Sequence, residues 1–206
     1  MFDEQSFEER YQATEALWSG RPNSQLVAEV ADLPPGRALD VGCGEGADAV
    51  WLAERGWQVT GVDFARTALQ RGRAHAQTLG PDVADRIRWV HADVTTWVPG
   101  DGQFDLVSAQ FMHLPPEPRR ALFARLAAAV APGGTLLVVG HDFSDLAAGA
   151  HRPPEPGRFF TAGEVADSLG DEWDVLVAEA RPRSAGDHEG AGITVRDAVL
   201  RARRRG

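Results

Sequence analysis

A short apolar run, Arg37-Ala38-Leu39-Asp40-Val41, leads directly into three glycines within five residues, Gly42-Cys43-Gly44-Glu45-Gly46, and then into the helical pattern of Ala47 to Arg55. The run reads as a buried strand. Without β-carbons, the loop after it can turn sharply and let a ligand approach the backbone. The helix beyond it offers free N–H groups and the positive end of its dipole. A strand, a glycine loop and a helix in this order restrict the chain to α/β folds whose strands are joined by helical crossovers. The loop also satisfies the dinucleotide pattern G-x-G-x-x-G/A if Ala47 takes the last place, so alone it is a weak signal.

The rest of the chain keeps to that plan. Gln58 to Val62 reads as a second strand finishing at Asp63, after Gly56 caps the preceding helix. Ala65, Ala68, Leu69, Gly72, Ala76 and Leu79 follow helical spacing until Gly80-Pro81 stops them. Ile87 to Val90 is a third strand ending near Asp93, and Phe104 to Ala109 a fourth. A helix through Leu122, Leu126, Ala129 and Val130 closes at Pro132-Gly133-Gly134. Thr135 to Val139 is then the most hydrophobic strand, expected at the centre. Strands separated by helices imply parallel βαβ units with right-handed crossovers. Residues 141–160 should be a long polar loop, followed by a helix from Ala162 to Leu169. Two last strands, Glu172 to Ala180 and Gly192 to Leu200, should pair as an antiparallel hairpin around the Ser184–Gly190 turn. Ahead of the first strand, Phe7 to Leu17 and Ser24 to Asp32 read as helices, the second capped by Asn23.

Composition removes several function classes. The net charge is −9, and every one of the 21 basic residues is Arg. Nucleic acid normally requires a basic footprint, and the only basic cluster is Arg201, Arg203, Arg204 and Arg205, read as a solvated chain end. With no Lys, neither a lysine Schiff base nor a P-loop lysine is available. One cysteine, Cys43, allows no internal disulfide and no cysteine-cluster metal site. No apolar run nears the roughly 20 residues that cross a bilayer. The acidic start Met1-Phe2-Asp3-Glu4 does not resemble a signal peptide, which predicts a cytoplasmic location.

Asp63 sharpens the loop's meaning. It ends the second strand about 20 residues beyond Gly42, where an acid can accept hydrogen bonds from ribose hydroxyls. It could instead cap the helix that begins near Ala65, and the two roles are compatible.

Four segments together carry a family resemblance. Asp40-Val41-Gly42-Cys43-Gly44-Glu45-Gly46 resembles the first motif of class I S-adenosylmethionine (SAM)-dependent methyltransferases. Val62-Asp63, with Phe64 following, resembles the ribose-binding motif, and Ala92-Asp93-Val94 the adenine-contacting motif. Ala131-Pro132-Gly133-Gly134-Thr135 resembles the lead into the family's fifth strand. The resemblance runs from about Arg37 to Gly140 and implies a Rossmann-like, doubly wound, three-layer αβα sandwich. Its seven strands would lie in the order 3-2-1-4-5-7-6 with strand 7 antiparallel, and SAM over the carboxyl ends of strands one, two and four. A narrower resemblance to small bacterial tellurite-resistance and thiopurine methyltransferases implies that Tyr11, Trp18 and Arg21 fold over the cofactor, with Arg21 reaching its carboxylate.

By the same resemblance Gln110 would lie near the methionine part of SAM, and Phe111 or Met112 along it. His113 could take a proton from an acceptor. Asp142, after strand five, could position a substrate or merely cap its loop. SAM is itself a strong electrophile, so positioning and exclusion of water can supply much of the catalysis and a general base is optional. No N/D-P-P-Y/F/W tetrapeptide follows the fourth strand, and Cys43 is not preceded by proline, which argues against base methylation of nucleic acid. No metal-ligand constellation is evident.

The expected organisation is one domain: residues 1–36 as a helical cap segment, 37–140 as the SAM-binding core, and 141–206 as loop, helix and hairpin. The expected activity is methyl transfer to a small molecule through an S, O, N or chalcogen nucleophile. A non-catalytic SAM-binding module and a nicotinamide-dependent oxidoreductase are the alternatives. The sequence leaves the acceptor and the oligomeric state open.

Overall fold

The computed structural model describes residues 4–146, 156–184 and 194–206. Two helices, α1 (Glu4–Gln12) and α2 (Ser24–Val30), precede the first strand. Strands and helices then alternate: β1 (Arg37–Val41), α3 (Ala47–Glu54), β2 (Gln58–Asp63), α4 (Arg66–Thr78), the single-turn α5 (Pro81–Ala84) and β3 (Ile87–His91). There follow β4 (Phe104–Gln110), α6 (Pro116–Ala129), β5 (Val130–His141), α7 (Ala162–Ala166), β6 (Trp173–Ser184) and β7 (Thr194–Arg204).

These strands form one sheet in the order β3-β2-β1-β4-β5-β7-β6. The pairings from β3 through β5 are parallel, and β7 is antiparallel to both β5 and β6. This is the topology expected from the sequence. The chain winds from β1 outward to β3, then returns to lay β4 on the other side of β1. Open sheets bind ligands at such a reversal, outside the carboxyl ends of the strands.

Side-chain alternation separates two cores, one on each face. Leu39 and Val41 of β1 and Leu136 and Val138 of β5 pack with Leu122, Phe123 and Leu126 of α6. Ala38 of β1 and Leu137 and Val139 of β5 face the other way, onto Leu26 and Val30 of α2 and Leu52 of α3. Truncating a buried leucine in either layer costs about 2–5 kcal/mol. The crevice therefore rests on a rigid floor.

Boundaries differ from expectation where tertiary bonds decide them. Gly80-Pro81 does stop α4, but Pro81 also opens α5, since proline suits the first turn of a helix. β5 starts at Val130 rather than Thr135: Pro132 and Gly133 lie inside it, at a register irregularity against β4, with Gly133 at φ 80°. α1 ends at Gln12 rather than Leu17, because the Leu17 and Trp18 N–H groups donate to the Glu45 carboxylate instead of to helix carbonyls. The turn expected at Ser184–Gly190 lies mostly outside the described residues, as does most of the loop after β5. No helix among the described residues is long and apolar enough to cross a membrane.

Candidate active site

The glycine loop is fixed by the strand beside it. Gly42 and Cys43 both donate their N–H to the Val62 carbonyl, at 2.8 and 3.1 Å. Gly42 and Gly44 sit at φ 69° and 51°, a region that side chains disfavour. Asp63, at the end of β2, ties this loop to α4. Its Oδ2 accepts the Gly44 N–H at 2.9 Å and its Oδ1 the Ala65 N–H at 2.8 Å. The helix-capping alternative for Asp63 is thus present. Each carboxylate oxygen still has capacity for a second donor, so capping leaves room for a ribose hydroxyl.

Three carboxylates crowd this end of the sheet. Burial pushes Asp63 upward, against the lowering effect of the Ala65, Gly44 and Phe64 N–H groups. Asp40 is 2% exposed, and burial together with the charges of Asp48 and Asp63 raises it well above the usual carboxylate range. Its Oδ2 has no hydrogen-bond partner among the described residues. Asp48 accepts the Asn23 N–H at 2.6 Å and is pushed up by burial to about 6. Burial, with Asp40 and Asp63 nearby, also raises the Cys43 thiol.

The segment running from α1 to Trp18 lies across the loop. Tyr11 is 3% exposed, and a β-carbon built on Gly44 would stand 3.0 Å from its hydroxyl. The Trp18 indole N–H donates to that hydroxyl at 2.8 Å, although Trp18 itself is 53% exposed rather than part of the core. Arg71 of α4 locks the segment down, donating to the Tyr11 carbonyl at 2.7 Å and the Glu45 carboxylate at 2.9 Å. Glu8 accepts from the Thr67 N–H at 3.2 Å and also from the Thr67 hydroxyl. Arg21 is exposed, its N–H bonded to the Ser19 hydroxyl, so the arginine placed in this cluster is Arg71. Nothing in residue spacing marks Arg71, Glu45 or Glu8 for this work, because their partners lie tens of residues away.

The expected adenine side is looser. Phe64 packs edge-on to Phe7 with ring centroids 5.5 Å apart, beside β3. Ala92 donates its N–H to the Asp63 carbonyl at 3.0 Å, and Val94 is buried in the core below. Asp93 is exposed, and its Oδ1 accepts from the Thr95 N–H and hydroxyl at 2.8 and 2.7 Å.

Past β4 the chain turns hard. Phe111 is the one non-glycine residue at positive φ among the described residues, at 53°. Such strain persists only where surrounding structure holds it, and it clusters at functional sites. The Phe111 N–H donates to the Val139 carbonyl at 2.7 Å, and the turn seats the Met112 sulfur over Gly42, 2.8 Å from where a β-carbon would stand. The Gln110 amide donates to the Ser108 hydroxyl at 2.7 Å, while its Oε1 is buried without a partner among the described residues. His113 and His141 meet with ring centroids 4.5 Å apart, and Phe111 lies 4.8 Å from His141. Asp142 is buried, and its Oδ1 accepts from the Ser144 N–H and hydroxyl at 3.0 and 2.6 Å. This is the capping use anticipated as its alternative. No group of three or more metal-ligating side chains occurs among the described residues.

Known proteins place this geometry. A family model described as a methyltransferase domain matches residues 38–134, the span from β1 into β5. A 2-heptyl-1-hydroxyquinolin-4(1H)-one methyltransferase from Mycobacteroides abscessus is 30% identical over 178 residues, covering 82% of this chain and 74% of that protein. The chain belongs to the methyltransferase family. The structure of TehB from Haemophilus influenzae superposes with a TM-score of 0.72 at 20% identity, over 98% of this chain and 67% of that one. A 1,6-didemethyltoxoflavin-N1-methyltransferase from Burkholderia thailandensis, solved with its namesake ligand and S-adenosylhomocysteine, gives 0.69 at 20% identity, over 98% and 87%. The chain spans only 43% to 60% of the length of further curated relatives, among them trans-aconitate and thiol methyltransferases.

The family's methyl donor is SAM, and the residues here fit it. Gly42 and Gly44 hold the loop at positive φ without β-carbons, Asp63 retains acceptor capacity, and one oxygen each of Asp40 and Gln110 lies buried without a hydrogen-bond partner among the described residues. Tyr11 occupies the face of Gly44, so a ligand that touches Gly44 must displace it.

Proposed function

We propose that this methyltransferase transfers the methyl group of SAM to a small-molecule acceptor through an oxygen, sulfur or nitrogen nucleophile. The observation that carries this reading is the shared turn Gln110–His113. One of its residues, Met112, touches the glycine loop, and its neighbours Phe111 and His113 join a half-buried aromatic cluster suited to a small organic molecule. The names of relatives acting on quinolone, aconitate and thiol substrates support a small acceptor. The charge of −9 disfavours nucleic acid.

When bound, SAM supplies a methyl carbon made electrophilic by its sulfonium. The chain supplies the rest. Gly42, Cys43 and Gly44 bring the backbone against the cofactor, and Asp63, Phe64, Ala92, Asp93 and Val94 form the rim where its adenosine would rest. Asp40, Gln110 and Trp18 surround the remainder, Arg21 reaches its carboxylate, and Arg71 holds the covering segment in place. Tyr11 and Trp18 close over the loop and exclude water, which strengthens polar interactions inside. Met112 defines the wall between donor and acceptor. His113 takes the acceptor's proton, and Asp142 fixes the loop that borders it.

The test is turnover. The protein is incubated with SAM and a panel of phenols, N-hydroxy heteroaromatics, thiols and amines, and S-adenosylhomocysteine and methylated acceptor are measured by mass spectrometry. Formation of both in equal amounts is expected with at least one class. SAM binding with no product from any class would instead make the protein a binding module.

A further inference from the structure

We propose that His113 and His141 form one proton-accepting pair, and that the acceptor is a flat aromatic or heteroaromatic molecule carrying an acidic O–H or S–H. This rests on the methyltransferase reading above and adds a second base and a substrate class to it.

Three separate elements converge to build the pair. His113 comes from the turn after β4, His141 from the last residue of β5, and Phe159 from the segment before α7. The Phe111 and His113 rings are nearly parallel, at 12° with centroids 6.0 Å apart, and the His141 ring lies 4.8 Å from Phe111 and 4.5 Å from His113. Phe159 follows at 6.5 Å from His141. A cluster of aromatic rings of this kind favours a planar guest through stacking and edge contacts. The strained backbone at Phe111 is what aims it: the same three residues direct Met112 onto Gly42 and return His113 toward His141. Imidazole nitrogens therefore border a surface that is one residue removed from the donor crevice.

Charged groups border the pair on several sides. Asp197 faces His141 across the β5–β7 register, is 1% exposed, and accepts both from Arg183 Nε at 2.9 and 3.0 Å and from Gln25 at 3.4 Å. The Arg183 guanidinium stands 5.9 Å from the Phe111 ring, and Arg158 donates to the His113 carbonyl at 3.1 Å. Asp142, next to His141, is turned to Ser144. Two imidazoles this close repel when both are charged, so the pair can take up one proton but resists a second. In the reaction the acceptor's O–H or S–H proton passes to an imidazole nitrogen, and the freed electron pair forms the bond to the methyl carbon. The methyl–sulfonium bond breaks with its electrons on sulfur, leaving a neutral thioether and a protonated pair.

The experiment uses the full chain with SAM and three acceptor probes, 1-hydroxyquinolin-4(1H)-one, thiophenol and 2-mercaptoethanol, and the variants His113→Gln, His141→Gln and the double variant. S-Adenosylhomocysteine affinity is measured on every protein. Expected are turnover of a flat probe over 2-mercaptoethanol and a loss of about 100-fold in kcat/KM for either single variant at a pH below the probe's own pKa. The double variant should be little worse than either single one, with donor affinity kept within twofold. The loss should shrink as pH rises through the probe's own pKa, above which it ionises unaided. Near-normal rates in both single variants, additive losses, or preference for 2-mercaptoethanol would overturn the proposal. So would turnover of none of the three probes by a protein that binds the donor. Failure of the wild-type chain to bind S-adenosylhomocysteine would instead sink the methyltransferase reading itself. If His141→Gln loses donor binding through misfolding, the half-buried His113 gives the same pH readout through His113→Asn.

Discussion

The donor side and the acceptor side of this crevice are held by different forces. Around the glycine loop, carboxylates grip backbone N–H groups: Asp63 on Gly44 and Ala65, Glu45 on Leu17 and Trp18, Asp48 on Asn23. Past β4 and β5 the site is made instead of rings in contact, with Phe111, His113, His141 and Phe159 drawn from three segments. Backbone-directed bonds fix geometry wherever the loop and strand recur, so they suit a cofactor that does not change. Side-chain packing can be altered residue by residue, which suits an acceptor that differs between relatives.

The sharpest way to break that contrast is Asp63→Ala. It removes the anchor of the Gly44 and Ala65 amides together with any bond to the ribose. Hydrogen bonds to a charged group are worth about 1.5–3 kcal/mol each, so donor affinity should fall by roughly 100-fold in a calorimetric titration. A change below threefold would mean that the loop is held without it. Gly44→Ala is the next largest test. With φ at 51° and a methyl group 3.0 Å from the Tyr11 hydroxyl, it should cost about 1–2 kcal/mol in urea unfolding. Unchanged stability would show that Tyr11 is not seated on the loop.

That same contrast explains what could be read from the sequence. β1 was legible to the residue, and so were Gly42, Gly44 and Asp63, because their roles belong to the backbone and recur at fixed spacing. The sheet order was implied by the family resemblance that the four motifs carry. Arg71, Glu8 and Glu45 were not legible as a clasp, since their partnerships join residues far apart in the chain. Arg21 is expected at the cofactor's carboxylate only through the resemblance; the clasp itself is made by Arg71, which α4 brings onto Tyr11 and Glu45 from far along the chain. His141 ends β5, but an isolated histidine carries no pattern in sequence until His113 is seen beside it.

Two smaller effects sharpen the picture of the donor side. Arg71→Ala should free the segment over Gly44, making the Leu17 and Trp18 amides exchange about tenfold faster. It should also quicken association of S-adenosylhomocysteine in stopped flow, because Tyr11 blocks Gly44 less of the time. Equal exchange rates in variant and wild type would remove Arg71 from the clasp. The smallest effect concerns Asp48. Its folded value of about 6 exceeds the ordinary 3.8, so the folded chain binds more protons between those values. Stability from this group is therefore greatest at low pH and is lost as pH rises through about 6. Asp48→Asn keeps an acceptor for Asn23 and should raise stability at pH 8 by about 1 kcal/mol, or roughly 3 °C in Tm, with little change at pH 4. A gain at pH 4 as large as that at pH 8 would contradict the buried charge.

The central claim is that adenosine binds where Asp63 meets the glycine loop. Calorimetric titration of the wild-type chain with S-adenosylhomocysteine, repeated on Asp63→Ala, tests it most directly. One molecule bound per chain near micromolar concentration, with a marked loss in the variant, is the predicted result. No heat up to millimolar ligand, or equal affinity in the two proteins, would contradict it.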